Sequence, residues 1–277
     1  MHQIQLLKKY ELSVRGIRGQ HLLIDENIQR KFVESLGPKP TDTIVEIGPG
    51  LGAITELLLA SGARVIAIEQ DPRFVEILKG ELAGDYKNLT LIQSDILKVN
   101  LSKFASGNQK IKVAGNIPYY ITSAILLYLI SHQKIIDSVC LTVQREIADR
   151  LFAQPATKAY GRLSLLVRYY CDIRRLFEIS RNCFSPKPKV DSTAIELVFH
   201  PKLPAGVDET LLFDLIKHGF GKRRKNILNA FADGFSLPKD KLKALLNEAG
   251  IPEKTRAEEL LLKDFIRLAE LFRGHYT

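Results

Sequence analysis

Cysteine is scarce in this chain, and its spacing excludes two kinds of site. Only three cysteines occur among the 277 residues, Cys140, Cys171 and Cys183, and none belongs to a Cys-x-x-Cys pair. Neither a zinc site nor a disulfide framework is therefore indicated. The first residues lack the apolar core of a signal peptide, and no apolar run reaches the roughly 18 residues that cross a membrane. These absences predict a cytoplasmic protein in a reducing compartment, without a bound metal.

Basic residues outnumber acidic ones, and the excess is concentrated in the middle of the chain. The net charge is +9 and the isoelectric point is about 9.4. Residues 134–189 contain 11 basic and 5 acidic side chains, whereas residues 205–277 contain 13 and 11. Such a surface points to nucleic acid or another polyanion as the partner. A basic protein without such a partner is also consistent with the charge.

Short apolar runs alternate with amphipathic segments over most of the chain. The predicted strands are Thr43–Ile47, Arg64–Ile68, Leu89–Gln93, Lys110–Ala114, Ser138–Val143, Arg174–Ile179 and Ser192–Phe199. Alternating strands and helices predict an α/β fold, a Rossmann-like and mostly parallel sheet with helices on both faces. Ligands of such sheets bind at the carboxyl ends of the strands. Because Gly48, Glu69, Asp95 and Asn116 all fall at predicted strand ends, we expect one pocket to gather them.

The pattern changes after a proline-containing segment near residue 204. The later part is helical, with helices predicted at Glu209–Phe220, Arg224–Ala232, Lys239–Ala249 and Arg256–Arg273. We therefore expect two domains, an α/β domain over residues 1–204 and a small all-α domain over residues 205–277. No heptad repeat is visible, and the expected state is a monomer.

A glycine-rich loop follows the first predicted strand. Gly48, Gly50 and Gly52 alternate with other residues, and Glu46 precedes them. A dinucleotide-binding loop places its third glycine one residue later, so NAD is the weaker alternative. The arrangement is similar to the first motif of S-adenosylmethionine-dependent methyltransferases. The glycines let the backbone approach a ligand closely, and the start of the next helix can face the methionine carboxylate.

Two acidic residues follow the glycine loop in the order that this cofactor needs. Glu69 lies 21 residues after Gly48 and is placed to bind two ribose hydroxyls. Asp95 can accept a hydrogen bond from the adenine amino group. Taken alone, Glu69 could be a solvated carboxylate at a strand end and Asp95 a helix cap. Their order along the chain favours S-adenosylmethionine as the cofactor.

The segment Asn116-Ile117-Pro118-Tyr119 suits the alkylation of a planar amino group. The Asn116 side-chain oxygen can accept one amine hydrogen, and the Ile117 carbonyl, in a turn stiffened by Pro118, can accept another. Tyr119 offers a ring face on which a flat substrate can stack. Beside a cofactor loop, this pattern indicates methyl transfer to a nucleobase or amide nitrogen. The other interpretation is a merely rigid loop.

Four motifs together resemble the KsgA-type small-subunit ribosomal RNA adenine N6,N6-dimethyltransferases, of the rRNA adenine dimethylase family. They are Gln20–Asp25, Glu46–Gly52, Asn116–Tyr119 and Phe184–Ser192. The resemblance runs from about Ser13 to the helical C-terminal part. It implies a class I methyltransferase domain that uses S-adenosylmethionine. It also implies the conversion of two adjacent adenosines near the 3′ end of small-subunit rRNA to N6,N6-dimethyladenosine, on an immature subunit.

The resemblance also assigns residues to the cofactor and the base. His21 and Leu23 join Gly48, Gly50, Glu69, Asp95 and Asn116 as expected cofactor contacts, and Phe184 is expected to cover the adenine face opposite Tyr119. Three positions depart from the family pattern. Leu22 stands where phenylalanine is usual, His21 where asparagine is usual, and Ile117 where leucine is frequent. Histidine can still form a hydrogen bond with the cofactor, and a contact through the backbone of Ile117 is insensitive to its side chain.

The expected RNA contacts are basic residues in two regions. They are Arg145, Arg150, Arg162, Arg168, Arg181, Lys187 and Lys189 in the middle of the chain, and Lys222, Arg223, Arg224 and Lys225 near a predicted helix start. Any one of these side chains can instead belong to an ordinary solvated face. Together they predict a steep salt dependence of RNA binding.

Several other functions share part of this pattern. A related enzyme dimethylates an adenosine of large-subunit RNA and confers macrolide resistance, and its sheet motifs are nearly the same. A DNA adenine methyltransferase more often carries Asp-Pro-Pro-Tyr, and a glutamine methyltransferase Asn-Pro-Pro-Tyr. A different class is a binding module, an assembly factor that occupies the immature small subunit and for which catalysis is secondary.

Overall fold

The computed structural model of the protein describes residues 3–14, 20–82, 84–107, 109–222 and 224–275. The chain divides into two compact units. The first is Met1–Ala148 with Asp172–Phe199, and the second is Asp149–Cys171 with His200–Thr277. The expected domains, 1–204 and 205–277, stay a prediction. The second unit includes Asp149–Cys171, which the sequence pattern assigned to the first domain.

A mostly parallel sheet is the centre of the first unit. The strands of the described chain are β1 (Leu22–Leu23), β2 (Thr43–Ile47), β3 (Arg64–Glu69), β4 (Leu89–Gln93), β5 (Ile111–Asn116), β6 (Ile136–Gln144), β7 (Cys171–Ile179), β8 (Phe184–Ser185) and β9 (Ser192–Phe199). Seven of them form one sheet in the order β4-β3-β2-β5-β6-β9-β7. Strands β2 to β6 pair in parallel, and β9 pairs antiparallel with β6. The short strands β1 and β8 pair separately and antiparallel.

The sheet confirms the predicted fold class and shifts the bounds of several strands. Strands β2, β4 and β9 have the predicted bounds, whereas β5 extends to Asn116 instead of ending at Ala114. The extension arises because Gly115 and Asn116 still pair with Leu141 and Thr142 of β6. Asn116 is therefore held by the sheet ladder.

Helices flank the strands of the first unit, and two of them begin at side-chain caps. The helices are α1 (Gln3–Lys9), α2 (Glu26–Leu36), α3 (Ala53–Ala60), α4 (Pro72–Glu81), α5 (Thr122–Ser131) and α6 (Arg145–Phe152), which crosses the division between the units. Asp25 caps α2 by accepting from the Asn27 and Ile28 amides, and Asp71 caps α4, where Pro72 occupies the first turn. These two caps fix where the loops that precede α2 and α4 end.

Two apolar clusters position the loops at the strand ends. One joins α2 and α3 to the sheet and includes Phe32, Leu58 and Leu23. The other joins α1 and α4 and includes Leu6 and Phe74. Burial of side chains of this size stabilises the fold by roughly 1.5–3 kcal/mol each.

The second unit is helical and contains two helices that the sequence did not indicate. Its helices among the described residues include α7 (Arg162–Tyr170), α8 (Glu209–Gly219), α9 (Ile227–Gly234), α10 (Lys239–Glu248) and α11 (Leu262–Phe272). No element had been predicted at α6 or α7. The single helix predicted at Arg256–Arg273 is wrong, because Glu259 and Asp264 accept hydrogen bonds from the Arg256 and Leu261 amides and start two separate helices.

The start of α9 also differs from the prediction. The helix begins at Ile227, after an Asn226 cap, rather than at Arg224. Within the described ranges, no helix is long and apolar enough to cross a membrane.

The backbones of β2 and β5 approach closely at Gly115, and this contact predicts the effect of a substitution on the free energy of unfolding. A Cβ atom added to Gly115 would lie 2.7 Å from the Ile47 carbonyl oxygen. We expect Gly115→Ala to force these strands apart and to lower the free energy of unfolding by about 1–3 kcal/mol, measured by urea denaturation. Gly84→Ala is the control, because nothing lies within 4 Å of its added Cβ. Equal stability of the two variants would contradict the steric argument.

Candidate active site at the carboxyl ends of the strands

The polar residues at the strand ends line two cavities of the first unit. Gly48 follows β2, Glu69 ends β3, Asn116 ends β5, and Asp95 follows β4. The smaller cavity is lined mainly by the start of α1, the β1 segment, the glycine loop and the segment that begins at Asn116. Its lining residues are Gln3, Gln20–Leu23, Glu46, Gly48–Gly50, Ala53, Ile54, Glu69, Phe74 and Asn116–Tyr119. The larger cavity has a volume of about 720 Å³ and includes Gln70, Asp71 and Asp95. This volume is within the range of roughly 300–1,000 Å³ that is usual for ligand pockets.

Both cavities share a few residues, which places them side by side. Gln20, Gly48, Glu69 and Pro118 line both. Asn116 lines only the smaller cavity, and Asp95 only the larger one. A ligand that filled both would extend from the Asn116 segment past Glu69 to Asp95.

The backbone amides of the glycine loop are held by a backbone carbonyl and by the Glu69 carboxylate. The Gly48 amide donates to the Ile68 carbonyl at 2.9 Å, and the Gly50 amide donates to Glu69 Oε2 at 3.2 Å. Gly50 has a φ of +58°, and a Cβ there would lie 2.9 Å from Leu22 Cδ2. Glycine is favoured at this position by its left-handed backbone conformation, and a side chain there would also displace Leu22.

The Glu69 carboxylate is buried and partly satisfied by the backbone. Its Oε1 accepts from the Asp71 amide at 2.8 Å, and its Oε2 accepts from the Gly50 amide. Burial raises the pKa of Glu69. A carboxylate has about four acceptor sites, so two remain for a ligand in either cavity.

Asp95 serves as a helix cap and also faces the larger cavity. Its Oδ1 accepts from the Leu97 amide at 3.0 Å, at the start of a short 3₁₀ helix. The capping interpretation of the sequence is therefore compatible with a ligand contact through Oδ2.

The Asn116 side chain is fixed in orientation by two neighbours. Its Nδ2 donates to the His21 carbonyl at 2.8 Å, and its Oδ1 accepts a hydrogen bond from Thr142 Oγ1. Because a carbonyl can only accept, the amide nitrogen must face His21 and the oxygen must face Thr142. The oxygen keeps a second lone pair.

Tyr119 is anchored by its hydroxyl and lies beside an imidazole. The hydroxyl forms a 2.7 Å hydrogen bond with Ser192 Oγ, and the ring centroid lies 5.4 Å from that of His21. Burial raises the pKa of Tyr119, so the phenol stays neutral over the ordinary pH range. Ile117 and Pro118 complete this wall of the smaller cavity.

His21 and Leu23 use part of their hydrogen-bonding capacity within the protein. His21 Nδ1 lies 2.6 Å from the Pro186 carbonyl, which makes Nδ1 the donor and leaves Nε2 as an acceptor. The Leu23 carbonyl accepts from Gln29 Nε2 at 2.7 Å. Both residues line the smaller cavity, together with Leu22.

The structure does not bring Phe184 to either cavity. The residue is 3% exposed and packs in the apolar cluster with Leu23 and Phe32. Its pairing with Leu23 in β1 and β8 holds it there. A role for Phe184 on the second face of an adenine stays a sequence prediction, and this arrangement does not support it.

Three acceptors near the glycine loop have no hydrogen-bond donor among the described residues. They are Gln3 Oε1, Glu46 Oε2 and the Thr55 hydroxyl. Burial raises the pKa of Glu46 to about 8. Gln3 and Glu46 line the smaller cavity, which therefore has acceptors to offer to a ligand that carries donors. Within the part of the chain that the structure covers, no three His, Cys, Asp or Glu side chains are grouped to hold a metal.

The RNA candidates of the first unit lie at or near the segment that carries Phe184. Arg181 Nη1 donates to the Lys189 carbonyl at 3.0 Å, and its Nε lies 3.9 Å from Asp191. Arg145 begins α6, and its amide donates to the Asp191 carbonyl. The side chains of Arg145, Lys187 and Lys189 are exposed. All four stay candidates, although Arg181 also stabilises the loop.

The RNA candidates of the second unit differ in how exposed they are. Arg168 donates from Nη2 to the Leu151 and Ala153 carbonyls at 3.3 and 2.8 Å, so its guanidinium ties α7 to the end of α6. This structural role argues against Arg168 as a phosphate contact. Arg150 and Arg162 are exposed.

The second basic cluster is partly neutralised. Lys222 and Lys225 pair with Asp233 at 3.0 and 2.6 Å, and both lysines hold the pKa of that carboxyl well below its usual range. Arg224 is exposed, and Arg223 lies outside the described residues. None of the described residues of this cluster begins a helix as expected, because α9 begins at Ile227.

Sequence reasoning missed Gln3, Gln20 and Thr142 as parts of this site, and Ser192 as its support. Thr142 stands opposite Asn116 in the register of β5 and β6, and Ser192 begins the neighbouring β9. A hydroxyl within the apolar run Val139–Val143 was the available signal for Thr142. Gln3 carried no comparable signal, since its place in the cavity depends on how α1 packs.

The raised pKa of Glu46 predicts a pH dependence of stability. A carboxyl whose folded pKa is about 8 keeps its proton in the folded state after the unfolded chain has lost it. Its contribution to stability is therefore complete below its unfolded pKa and is lost as the pH rises towards 8.

We expect Glu46→Gln to gain stability relative to the unmodified protein between pH 6 and pH 8, by at most about 1.4 kcal/mol per pH unit. Urea denaturation of both proteins at several pH values measures the difference. A difference that does not change with pH would show that Glu46 titrates normally.

Comparison with known proteins gives the same family from the sequence and from the fold. The profile of the ribosomal RNA adenine dimethylase family matches residues 13–273. A protein of Lachnoclostridium phytofermentans named ribosomal RNA small subunit methyltransferase A is 37% identical over 274 residues, 97% of this chain and 94% of the relative. The protein of that name from Streptococcus pneumoniae is 39% identical over 277 residues, 97% of this chain and 95% of the relative.

Solved structures share the overall fold. The crystal structure of a dimethyladenosine transferase from Plasmodium falciparum aligns with a TM-score of 0.78 and 26% identity, over 92% of this chain and 98% of that one. The 23S rRNA methyltransferase ErmE aligns with a TM-score of 0.69 and 24% identity, over 91% and 99%, which shows a shared fold. The α/β fold, the strand-end site and these matches over nearly the whole length show that the chain belongs to the ribosomal RNA adenine dimethylase family, whose members are S-adenosylmethionine-dependent methyltransferases.

Proposed function

We propose that this protein transfers methyl groups from S-adenosylmethionine to N6 of two adjacent adenosines near the 3′ end of small-subunit rRNA, giving N6,N6-dimethyladenosine. The observation that carries the proposal is the similarity over nearly the full length to proteins named ribosomal RNA small subunit methyltransferase A. The fixed orientation of the Asn116 amide beside the glycine loop is the chemical observation that supports this proposal.

The site fits S-adenosylmethionine by its acceptors. This cofactor, when bound, supplies a methyl group activated by a positively charged sulfur. Glu69 lines both cavities and keeps free acceptor positions for ribose hydroxyls, and Asp95 lines the larger cavity with Oδ2 available for an adenine amino group. Buried carboxylates favour a cationic ligand over a neutral one of the same shape.

The amide of Asn116 can orient the amino group of the substrate. The lone pair of the exocyclic nitrogen of adenine is delocalised into the ring, which makes this nitrogen a weak nucleophile. Acceptors at the Asn116 oxygen and the Ile117 carbonyl would draw the amine hydrogens and localise the lone pair on the nitrogen. Thr142 holds the oxygen from the other side, so the acceptor is oriented in advance. No general base is needed, because the methylated ammonium product is acidic.

The target adenine has to be flipped out of its base stack in the RNA to reach Asn116. Tyr119 provides one ring face, held by Ser192. Extrusion of a base costs a few kcal/mol from a duplex and less from a loop or single strand. The proposed substrate is accordingly an unpaired segment of rRNA in an immature small subunit, bound by a monomer in the cytoplasm.

Two alternatives have specific support. Because the fold is shared with the 23S rRNA methyltransferase ErmE, large-subunit RNA is a second candidate substrate. The exposed basic residues of both units suit an assembly factor that binds the immature subunit whether or not it methylates.

One assay separates these functions. The purified protein, with labelled S-adenosylmethionine, is offered immature small subunits, large subunits and naked rRNA, and the nucleosides are then analysed. Dimethyladenosine in small-subunit RNA alone is the expected result. Label in large-subunit RNA would indicate the second target. Binding of subunits without transfer would indicate the assembly factor.

Asn116→Ala tests the proposed acceptor. Loss of a positioned acceptor at the reacting atom costs about 10²–10³ in rate. We expect kcat on small subunits to fall on that scale while the circular dichroism spectrum is unchanged. S-adenosylhomocysteine affinity is the control, since Asn116 also holds His21. Turnover close to normal would overturn the assignment.

Thr142→Val tests whether the threonine acts through Asn116. The substitution keeps the shape of a fully buried side chain and removes the hydroxyl. We expect kcat to fall about tenfold, because the amide loses one of its two fixed partners. The double variant Asn116→Ala/Thr142→Val should then be no slower than Asn116→Ala alone. Independent, multiplying effects would show that Thr142 has a role apart from Asn116.

A further inference from the structure

Gln3 is a buried polar residue whose acceptor has no partner. It is 5% exposed and lines the smaller cavity together with Gly48, Glu69 and Phe74. Its Oε1 receives no hydrogen bond from the described residues. Buried polar atoms of native proteins are nearly always paired, so an unpaired atom that faces a cavity indicates a ligand contact.

Helix α1 is held against the pocket by both apolar and polar contacts. Leu6 packs in the cluster that includes Leu22, Leu51 and Phe74. Lys9 and the Tyr10 hydroxyl both bind Glu81, the last residue of α4. The N-terminal segment is thereby fixed at two points, and Gln3 is presented to the cavity as part of its wall.

The ligand atom that suits Gln3 is a hydrogen-bond donor at the methionine end of the cofactor. Glu46, whose buried carboxyl also interacts with Thr55, lines the same cavity. A primary ammonium carries three N–H donors and a positive charge, which suits the Gln3 oxygen beside the buried Glu46 and Glu69 carboxyls. The other donors of the cofactor are the ribose hydroxyls, assigned above to Glu69, and the adenine amino group, assigned to Asp95 in the larger cavity, which Gln3 does not line.

We infer that Gln3 is a binding residue for the ammonium group of the methionine moiety of S-adenosylmethionine, carried into the site by helix α1. The inference rests on the proposed function of the pocket and adds a residue far from the glycine loop in sequence.

The test compares two ligands that differ at the methionine end. S-adenosylhomocysteine has the ammonium group, and 5′-methylthioadenosine lacks it but keeps the ribose and adenine. Calorimetry is done with C-terminally tagged full-length protein, so that nothing is added beside Gln3. We expect Gln3→Leu to weaken S-adenosylhomocysteine about tenfold and to leave 5′-methylthioadenosine unchanged. Gln5→Leu, at an exposed position of the same helix, is the matched control and should change neither.

Gln3→Glu distinguishes an acceptor contact from a donor contact. Glutamate keeps an acceptor, so we expect S-adenosylhomocysteine affinity within about threefold of normal. Greater weakening by Glu than by Leu would show that Gln3 donates to the methionine carboxylate, which overturns the inference. Equal weakening of both ligands by Leu would also overturn it, because the loss would not depend on the ammonium group.

Thermal unfolding gives a readout that does not depend on the ligand. We expect Gln3→Leu to leave the Tm of the free protein nearly unchanged and to reduce the rise in Tm that S-adenosylhomocysteine produces. A lower Tm of the free protein would indicate a structural role for Gln3. Unmodified protein that binds neither ligand would refute the proposed cofactor itself, whereas normal binding by Gln3→Leu would refute only the role of Gln3.

Discussion

One side-chain amide fixes the geometry on which the site depends. Asn116 donates to the His21 carbonyl and accepts from the Thr142 hydroxyl, so it joins β5 to the β1 segment and to β6. Because neither contact can be reversed, the amide oxygen has one orientation before a substrate arrives. The free lone pair of that oxygen is the acceptor that an exocyclic amine needs. Preorganised acceptors of this kind require no rearrangement during the reaction.

The pocket has more acceptors than donors, and this imbalance defines its ligand. Glu46 and Glu69 are buried carboxyls with raised pKa values, and Gln3 adds an unpaired amide oxygen. These acceptors can be satisfied by a ligand that carries several hydrogen-bond donors. A ligand with a positively charged sulfur, an ammonium group and ribose hydroxyls supplies what is missing. The same imbalance makes the stability of the free protein depend on pH through Glu46.

The predictions from sequence succeeded where local pattern decides the structure. Strands β2, β4 and β9 had the predicted bounds, because short apolar runs between loop residues depend little on distant contacts. Two site predictions stay untested and gain no support from the packing. Phe184 has the sequence context of a site residue, yet its pairing with Leu23 buries it in the core. Arg168 belongs to a basic region, yet it caps the end of a helix that the sequence did not indicate.

The sequence by itself determined the family, the α/β fold and the segments that meet at the strand ends, because glycine spacing and strand periodicity are properties of neighbouring residues. Only the tertiary structure decided which side chains complete the site. Thr142 reaches Asn116 through the register of β5 and β6, and Gln3 enters the pocket because Leu6 and Glu81 hold α1 in place. Contacts between residues far apart in the chain depend on how whole elements pack, and no local pattern encodes that packing.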